Sequence, residues 1–306
     1  MTRVNWSWTS ALSGVVPPCI SPLNDAGEPD PAATHRLSEH ALDGGCTGLF
    51  VLGGCGEGPW LTVRQRTQVV KAAREAAAGR APVLAGCMFP ATGPTIEAAR
   101  AAADAGADAL VIGSPYYFAV DGAAQRRHFD AVLHAVDLPI LLYNIPPATY
   151  HVLSLEVVSA LAAESRVLGI KDSAGDIKAF DAFIRVKHVR PDFRVLQGHE
   201  GVMGASLLMG GDGLVPGLAN VAPALFVELI GAARRTDIDR VKAIQEQIDQ
   251  LGQLHAEDHW LPCLKAACAH IGIGNGRPSL PLQPLTAEAC ARVARWVDTY
   301  GTLRAS

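Results

Sequence analysis

Short apolar runs recur along the chain, separated by longer Ala-rich stretches in which apolar and polar positions follow helical spacing. The runs cover residues 48–52, 82–86, 109–113, 138–143, 167–171, 193–197 and 213–216, with an earlier one at 14–20 that Pro17 and Pro18 interrupt. From residue 48 onward they begin about 26–34 residues apart, falling to about 20 for the last, which is the period of a strand followed by a crossover helix. Thr62 is placed to cap the stretch that runs to Gly79, and a glycine suits the position after a helix end. Ala103-Asp104-Ala105-Gly106 repeats that ending just before the next run. Eight such units predict an α/β fold, a (β/α)8 TIM barrel over residues 13–235. Helical patterns at 238–254, 260–271 and 286–300 then predict a C-terminal helical extension over 236–306. The rival is an open doubly wound sheet, whose dinucleotide fingerprint after the first strand is missing. Gly53-Gly54-Cys55-Gly56 lies after the second run and lacks the Lys-Ser/Thr of a phosphate loop.

Composition narrows the function classes. Hydrophobic residues make up 49% of the 306 and charged residues 18%, enough apolar material for one large core and too much for disorder. A net charge of −4 leaves no electrostatic footprint for nucleic acid. Anionic ligands must then be held by local donors. The amino terminus carries only Arg3 and no apolar stretch of the kind a signal peptide needs, and no run is long enough to cross a bilayer. The expectation is a soluble, cytoplasmic protein with no membrane and no nucleic-acid partner. Seven cysteines, with no C-x-x-C pair, read as small buried hydrophobes in a reducing compartment, apart from Cys55. His128 with His134, and His255 with His259, lie on predicted helices and read as surface or interface residues rather than metal ligands.

In a barrel the chemistry gathers at the carboxyl ends of the strands. Of six lysines only Lys171 closes an apolar run, Val167-Leu168-Gly169-Ile170-Lys171; Lys265 and the others fall in helical contexts. An ammonium cannot attack a carbonyl, whereas an amine shielded from water against an apolar wall can form an imine. The competing reading is a lysine paired with Asp172 at the barrel mouth. Tyr143 ends the preceding run, and its phenol can carry protons for a neighbouring amine, or simply be a half-buried tyrosine. Gly53-Gly54-Cys55-Gly56-Glu57 is either a nest of amides for a carboxylate or a plain tight turn.

Read together, these segments resemble the dihydrodipicolinate synthase and N-acetylneuraminate lyase family of class I pyruvate-dependent aldolases. The resemblance spans nearly the whole barrel through Gly14-Val15-Val16-Pro17, the loop Gly53–Glu57, Ser114-Pro115-Tyr116-Tyr117, Tyr143-Asn144-Ile145-Pro146, Gly169-Ile170-Lys171-Asp172-Ser173-Ala174-Gly175-Asp176, and Gly211-Asp212-Gly213-Leu214-Val215 with Ala219-Asn220-Val221. It implies an imine between Lys171 and a 2-keto acid, with Tyr143 as acid and base. It implies that the amides of Gly54 and Cys55 grip the substrate carboxylate and that the carbonyl of Val215 touches the keto acid. It implies that Tyr117 reaches into a neighbouring subunit's site, hence a homo-oligomer, a dimer or tetramer, and that neither metal nor organic cofactor is required. The partners it implies are a small-molecule 2-keto acid and an aldehyde.

The departures bear on specificity. The synthases carry two hydroxyls where this chain has Gly54 and Cys55, and an arginine for the second substrate where it has Ala148. The lyase's Asp-Glu pair is His199-Glu200 here, both candidate contacts for the substrate tail, and its serine on the eighth strand corresponds to Gly217. Pro147, Ala148, Gly217, Leu218 and Trp60 predict a second-substrate pocket less polar than in either relative. The alternatives are a 2-keto-3-deoxy sugar acid dehydratase using the same imine, a 4-hydroxy-tetrahydrodipicolinate synthase, and a catalytically silent barrel that only binds a keto acid.

Overall fold

The structure, a computed structural model, describes residues 6–305, with side chains to residue 301; Arg3 and Ser306 lie outside the described residues. Parallel strands β1 (Leu49–Val51), β2 (Val83–Gly86), β3 (Ala109–Gly113), β4 (Ile140–Asn144), β5 (Val167–Asp172), β6 (Arg194–Gln197) and β7 (Gly213–Leu214) form one sheet in chain order. Each strand is short and, apart from Arg194 at the start of β6, buried, as expected of a parallel sheet covered on both faces.

Alternation along the strands sorts side chains into two apolar layers. Phe50, Leu84, Ala109, Val111, Leu141, Tyr143, Leu196 and Val215 make an inner cluster, while Leu49, Val51, Val83, Ala85, Leu110, Ile112, Leu142 and Val195 join the outer core under the helices. Two cores, one enclosed by the sheet and one between sheet and helices, mark a curled, TIM-barrel-like sheet. The expected first strand is not a regular one. Its two prolines have no N–H to give, and residues 14–19 make isolated bridges instead. The Val16 N–H donates to Leu214 O (2.9 Å), and the Leu214 N–H donates to Gly14 O (3.0 Å). On the other side the Cys19 N–H donates to Phe50 O (2.8 Å). The segment therefore bonds to both edge strands.

The helices are α1 (Trp8–Ala11), α2 (Pro31–Asp43), α3 (Val63–Ala77), α4 (Thr92–Asp104), α5 (Gly122–Ala135), α6 (Pro146–Thr149), α7 (Leu155–Ala162), α8 (Ile177–Ile184), α9 (Met203–Leu208), α10 (Pro223–Arg234), α11 (Ile238–Gly252), α12 (Trp260–His270) and α13 (Ala287–Ala305). Thr62 caps α3 as expected, in a capping box completed by Gln65. Among the described residues no helix is long and apolar enough to cross a membrane. Two surface expectations are corrected. His128 is buried, bonded through Nδ1 to Thr92 Oγ1 (3.0 Å), because its face of α5 packs inward. Cys290 is exposed, whereas Cys19, Cys46, Cys87, Cys263 and Cys268 are buried and free.

Candidate active site

A break in the alternation of β5 aims the candidate lysine. Ile140 pairs with Val167, but Leu141 pairs with Gly169, so one extra residue sits in β5. Val167 faces the outer core and Leu168 the inner one; after the extra residue Ile170 faces outward again. Lys171 consequently lies in register with Tyr143 on one side and Leu196 on the other, both inner-cluster residues. Strict alternation from Val167 would have turned Lys171 toward the helices. Gly169 is required here, since a Cβ would stand 2.0 Å from Arg194 O on β6.

Lys171 is 3% exposed. Its Nζ lies 4.1 Å from the centroid of the Tyr143 ring and 5.0 Å from that of Phe50. The two rings meet edge to face at 6.2 Å. Amine and phenol thus share a water-poor corner with an aromatic floor. Gly198 closes the opposite side: a Cβ there would fall 2.7 Å from Lys171 Cε and 2.2 Å from Ser173 Oγ. Neither Phe50 nor Gly198 stood out in the sequence. Phe50 was one apolar letter in an apolar run, and only its inward parity separates it from Leu49 and Val51.

The competing partner Asp172 turns the other way. Its Oδ1 accepts from Asn144 Nδ2 (2.6 Å), burial pushes its carboxyl up from the usual range, and the Asn144 bond opposes that. Asn144 Oδ1 in turn accepts from the Leu153 N–H (3.0 Å). The pair ties β4 to β5 directly beyond the Tyr143–Lys171 pair.

The loop after β1 folds tightly. Glu57 N–H donates to Gly54 O (3.1 Å), Gly58 N–H to Gly53 O (3.2 Å), and Ser21 Oγ to Gly56 O (2.6 Å). At Gly56 a Cβ would meet Leu52 N at 2.7 Å and Cys19 O at 2.9 Å, so only glycine allows this approach. Gly54 stands exposed in this loop. Burial pushes the Cys55 thiol up to about 12, so it stays protonated and unreactive. Its Sγ and Glu200 Oε1 lie near one another: a Cβ on Gly217 would be 3.5 Å from the first and 3.6 Å from the second. Glu200 Oε1 accepts from the Leu218 N–H (2.7 Å), yet burial pushes the carboxyl up to about 7, against the pull of that bond, of Gly217 and of Lys171. Val215 is buried in the inner cluster, its N–H on Gln197 O. His199 is exposed, with its ring against Gly175 and its N–H donating to Gln197 Oε1 (2.7 Å).

Lys171, Tyr143, Cys55, Val215 and Glu200 are therefore brought to one mouth. Tyr117 is not. It is 81% exposed, held at φ 78° and packed edge to face on Phe118. The residues expected to form an apolar pocket also disperse. Trp60 lines a separate hollow with Arg277 and Ser279. Leu218 instead lines a cavity of about 460 Å³ beside Gly198, shared with His199, Glu200, Asp249, Gln253 and His255. The extension supplies half of that wall, which the strand-by-strand reading had no means to foresee.

A family model described as "Dihydrodipicolinate synthetase family" matches residues 11–299. The chain belongs to this family. Within the dihydrodipicolinate synthetase family it is 36% identical over 277 residues to a 4-hydroxy-tetrahydrodipicolinate synthase of Salinibacter ruber, covering 89% of this chain and 90% of that one. An uncharacterised DapA-like lyase of Halobacterium salinarum is 35% identical over 278 residues, covering 90% and 89%. Among solved structures, the prophage protein YagE of E. coli K12, a member of the same family in complex with pyruvate, superposes with a TM-score of 0.89 at 30% identity, over 94% of this chain and 98% of that one.

Proposed function

We propose that this protein is a class I lyase that holds pyruvate or a longer 2-keto acid as an imine on Lys171 and makes or breaks a carbon–carbon bond to an aldehyde. By family it is a pyruvate-dependent aldolase or lyase. The observation that carries the assignment to Lys171 is its register pairing with Tyr143 on the inner face of the sheet. In the neutral form Nζ adds to the keto carbon, and the carbinolamine loses water to give the imine. The protonated imine draws in the electrons of the C3–C4 bond as it breaks and the C4 hydroxyl gives up its proton, so the aldehyde leaves. The remaining enamine takes up a proton at C3, and water hydrolyses the imine to release pyruvate and the free lysine amine. Tyr143 is the group within reach to carry these protons. The amides of Gly54 and Cys55 receive the carboxylate, and Val215 O borders the bound acid.

The substrate tail extends over Gly198 into the cavity of His199 and Glu200. Asp249, Gln253 and His255 favour a hydroxylated tail over an apolar one. Ala148 offers no guanidinium and Gly54 no hydroxyl, so aspartate semialdehyde is disfavoured as the partner. Residues 13–235 act as the barrel, with 14–19 as its eighth stave, and 236–306 as the extension. Free thiols suit a reducing compartment such as the cytoplasm. Exposed Tyr117, Phe118 and Tyr150 crown two loops that His151 joins by accepting the Val120 N–H at Nε2 (2.9 Å), and they support pairing with a second subunit.

Borohydride reduction in the presence of pyruvate, followed by mass spectrometry, tests the chemistry. The expected adduct sits on the Lys171 peptide and disappears in Lys171→Arg. An equal adduct on the variant overturns the assignment. Single-turnover products from 2-keto-3-deoxy sugar acids then separate cleavage to pyruvate and aldehyde from dehydration with an intact carbon chain.

A further inference from the structure

The loop that would grip the keto-acid carboxylate is tied down by a part of the chain outside the ring of strands. Glu57 ends this loop in the left-handed region (φ 55°) with its carboxylate fully enclosed. Oε1 accepts from Lys265 Nζ on α12, itself enclosed, and Oε2 accepts from the Ser279 N–H. Burial lowers the hold of Lys265 on its proton, and the Glu57 charge opposes this. A buried ion pair is a poor source of net stability, since two charges lose their water and an apolar pair of like volume packs as well. What the pair supplies is direction. Each carboxylate oxygen has its own donor, which fixes the rotation of residue 57, and the Glu57 N–H fixes Gly54 O in turn (3.1 Å).

We propose that Glu57 and Lys265 are positioning residues for the substrate carboxylate. With the Ser279 amide, they hold the tip of the loop so that the Gly54 and Cys55 amides face an anion bound beside Lys171. The inference rests on the reading of Lys171 as the imine-forming residue. Lys265 read from the sequence as one more helical lysine, and nothing local marks it as the partner of a residue 208 positions earlier.

The test compares two ketones on the full chain, pyruvate and acetone, of which only the first has a carboxylate. Borohydride trapping at Lys171 is measured against ketone concentration for the unaltered chain, Glu57→Gln, Lys265→Met and the double variant. Half-saturation by pyruvate is expected to rise at least tenfold in each single variant, while trapping by acetone stays within twofold. The double variant removes both charges and decides the matter if the single ones fail to fold. It is expected to fold and still to bind pyruvate weakly. Pyruvate half-saturation within twofold of the unaltered chain, or equal losses for both ketones, overturns the proposal. An unaltered chain that traps neither ketone removes the Lys171 reading beneath it.

Discussion

Glu200 sits where a carboxyl is least at ease, part-buried beside the cavity after β6 and held up by that burial at about 7 against an ordinary 4.5. The folded protein therefore binds this proton more tightly than the unfolded chain does. Its contribution to stability is full below about 4.5, declines as pH rises toward about 7, and is level above that. His128 acts in the opposite sense. Held neutral at about 4, it lowers stability as pH falls below its ordinary 6.5. In Glu200→Gln, stability measured by thermal melts is expected to gain relative to the unaltered chain as pH goes from 5 to 7.5. Parallel pH profiles for the two proteins would mean that Glu200 is ionised throughout. A carboxyl near its midpoint at neutral pH can also donate a hydrogen bond to a substrate hydroxyl, which an ordinary glutamate cannot.

At the scale of elements, the extra residue in β5 decides which face of the sheet Lys171 takes. Inserting one alanine between Ile170 and Lys171 would move the lysine one place along the strand and turn it outward. An added residue in a buried strand forces its neighbours to repack, at a cost of roughly 1–3 kcal/mol, so the comparison belongs to the folded fraction. There, trapping of pyruvate at the displaced lysine is expected to fall by at least a hundredfold, and undiminished trapping in a folded insertion variant would show that strand parity does not aim the lysine. This feature was not legible in the sequence. The apolar run 167–171 located the strand and its terminal lysine, but a continuous apolar run carries no parity, so inward and outward were indistinguishable. The runs at 109–113 and 193–197, by contrast, match β3 and the end of β6 closely, because strand length and burial are properties of the run itself. Pro17 and Pro18 did signal an irregular first stave, for the plain reason that they cannot donate to a neighbour.

Across the whole molecule, what eluded the sequence were contacts between distant parts: the extension against the cavity wall, and α12 against the loop after β1. The exposed aromatic pair of Tyr117 and Phe118 belongs to the same scale, since the subunit contact proposed for it involves a second chain. Tyr117 holds a left-handed backbone at 81% exposure, a cost that a subunit contact would justify. Phe118→Asp is expected to shift sedimentation toward the monomer and leave the melting profile of the isolated chain unchanged; an unaltered sedimentation pattern would place any subunit contact elsewhere. The tie between Glu57 and Lys265 carries a consequence for biosynthesis. At about 5–20 residues per second, some 10–40 s separate the emergence of the two partners from the ribosome. If the loop after β1 is the carboxylate grip proposed above, a nascent barrel until then owns its lysine and tyrosine but no finished grip for the anion, and a chain truncated before α12 would be a near-complete scaffold with almost no hold on a keto acid.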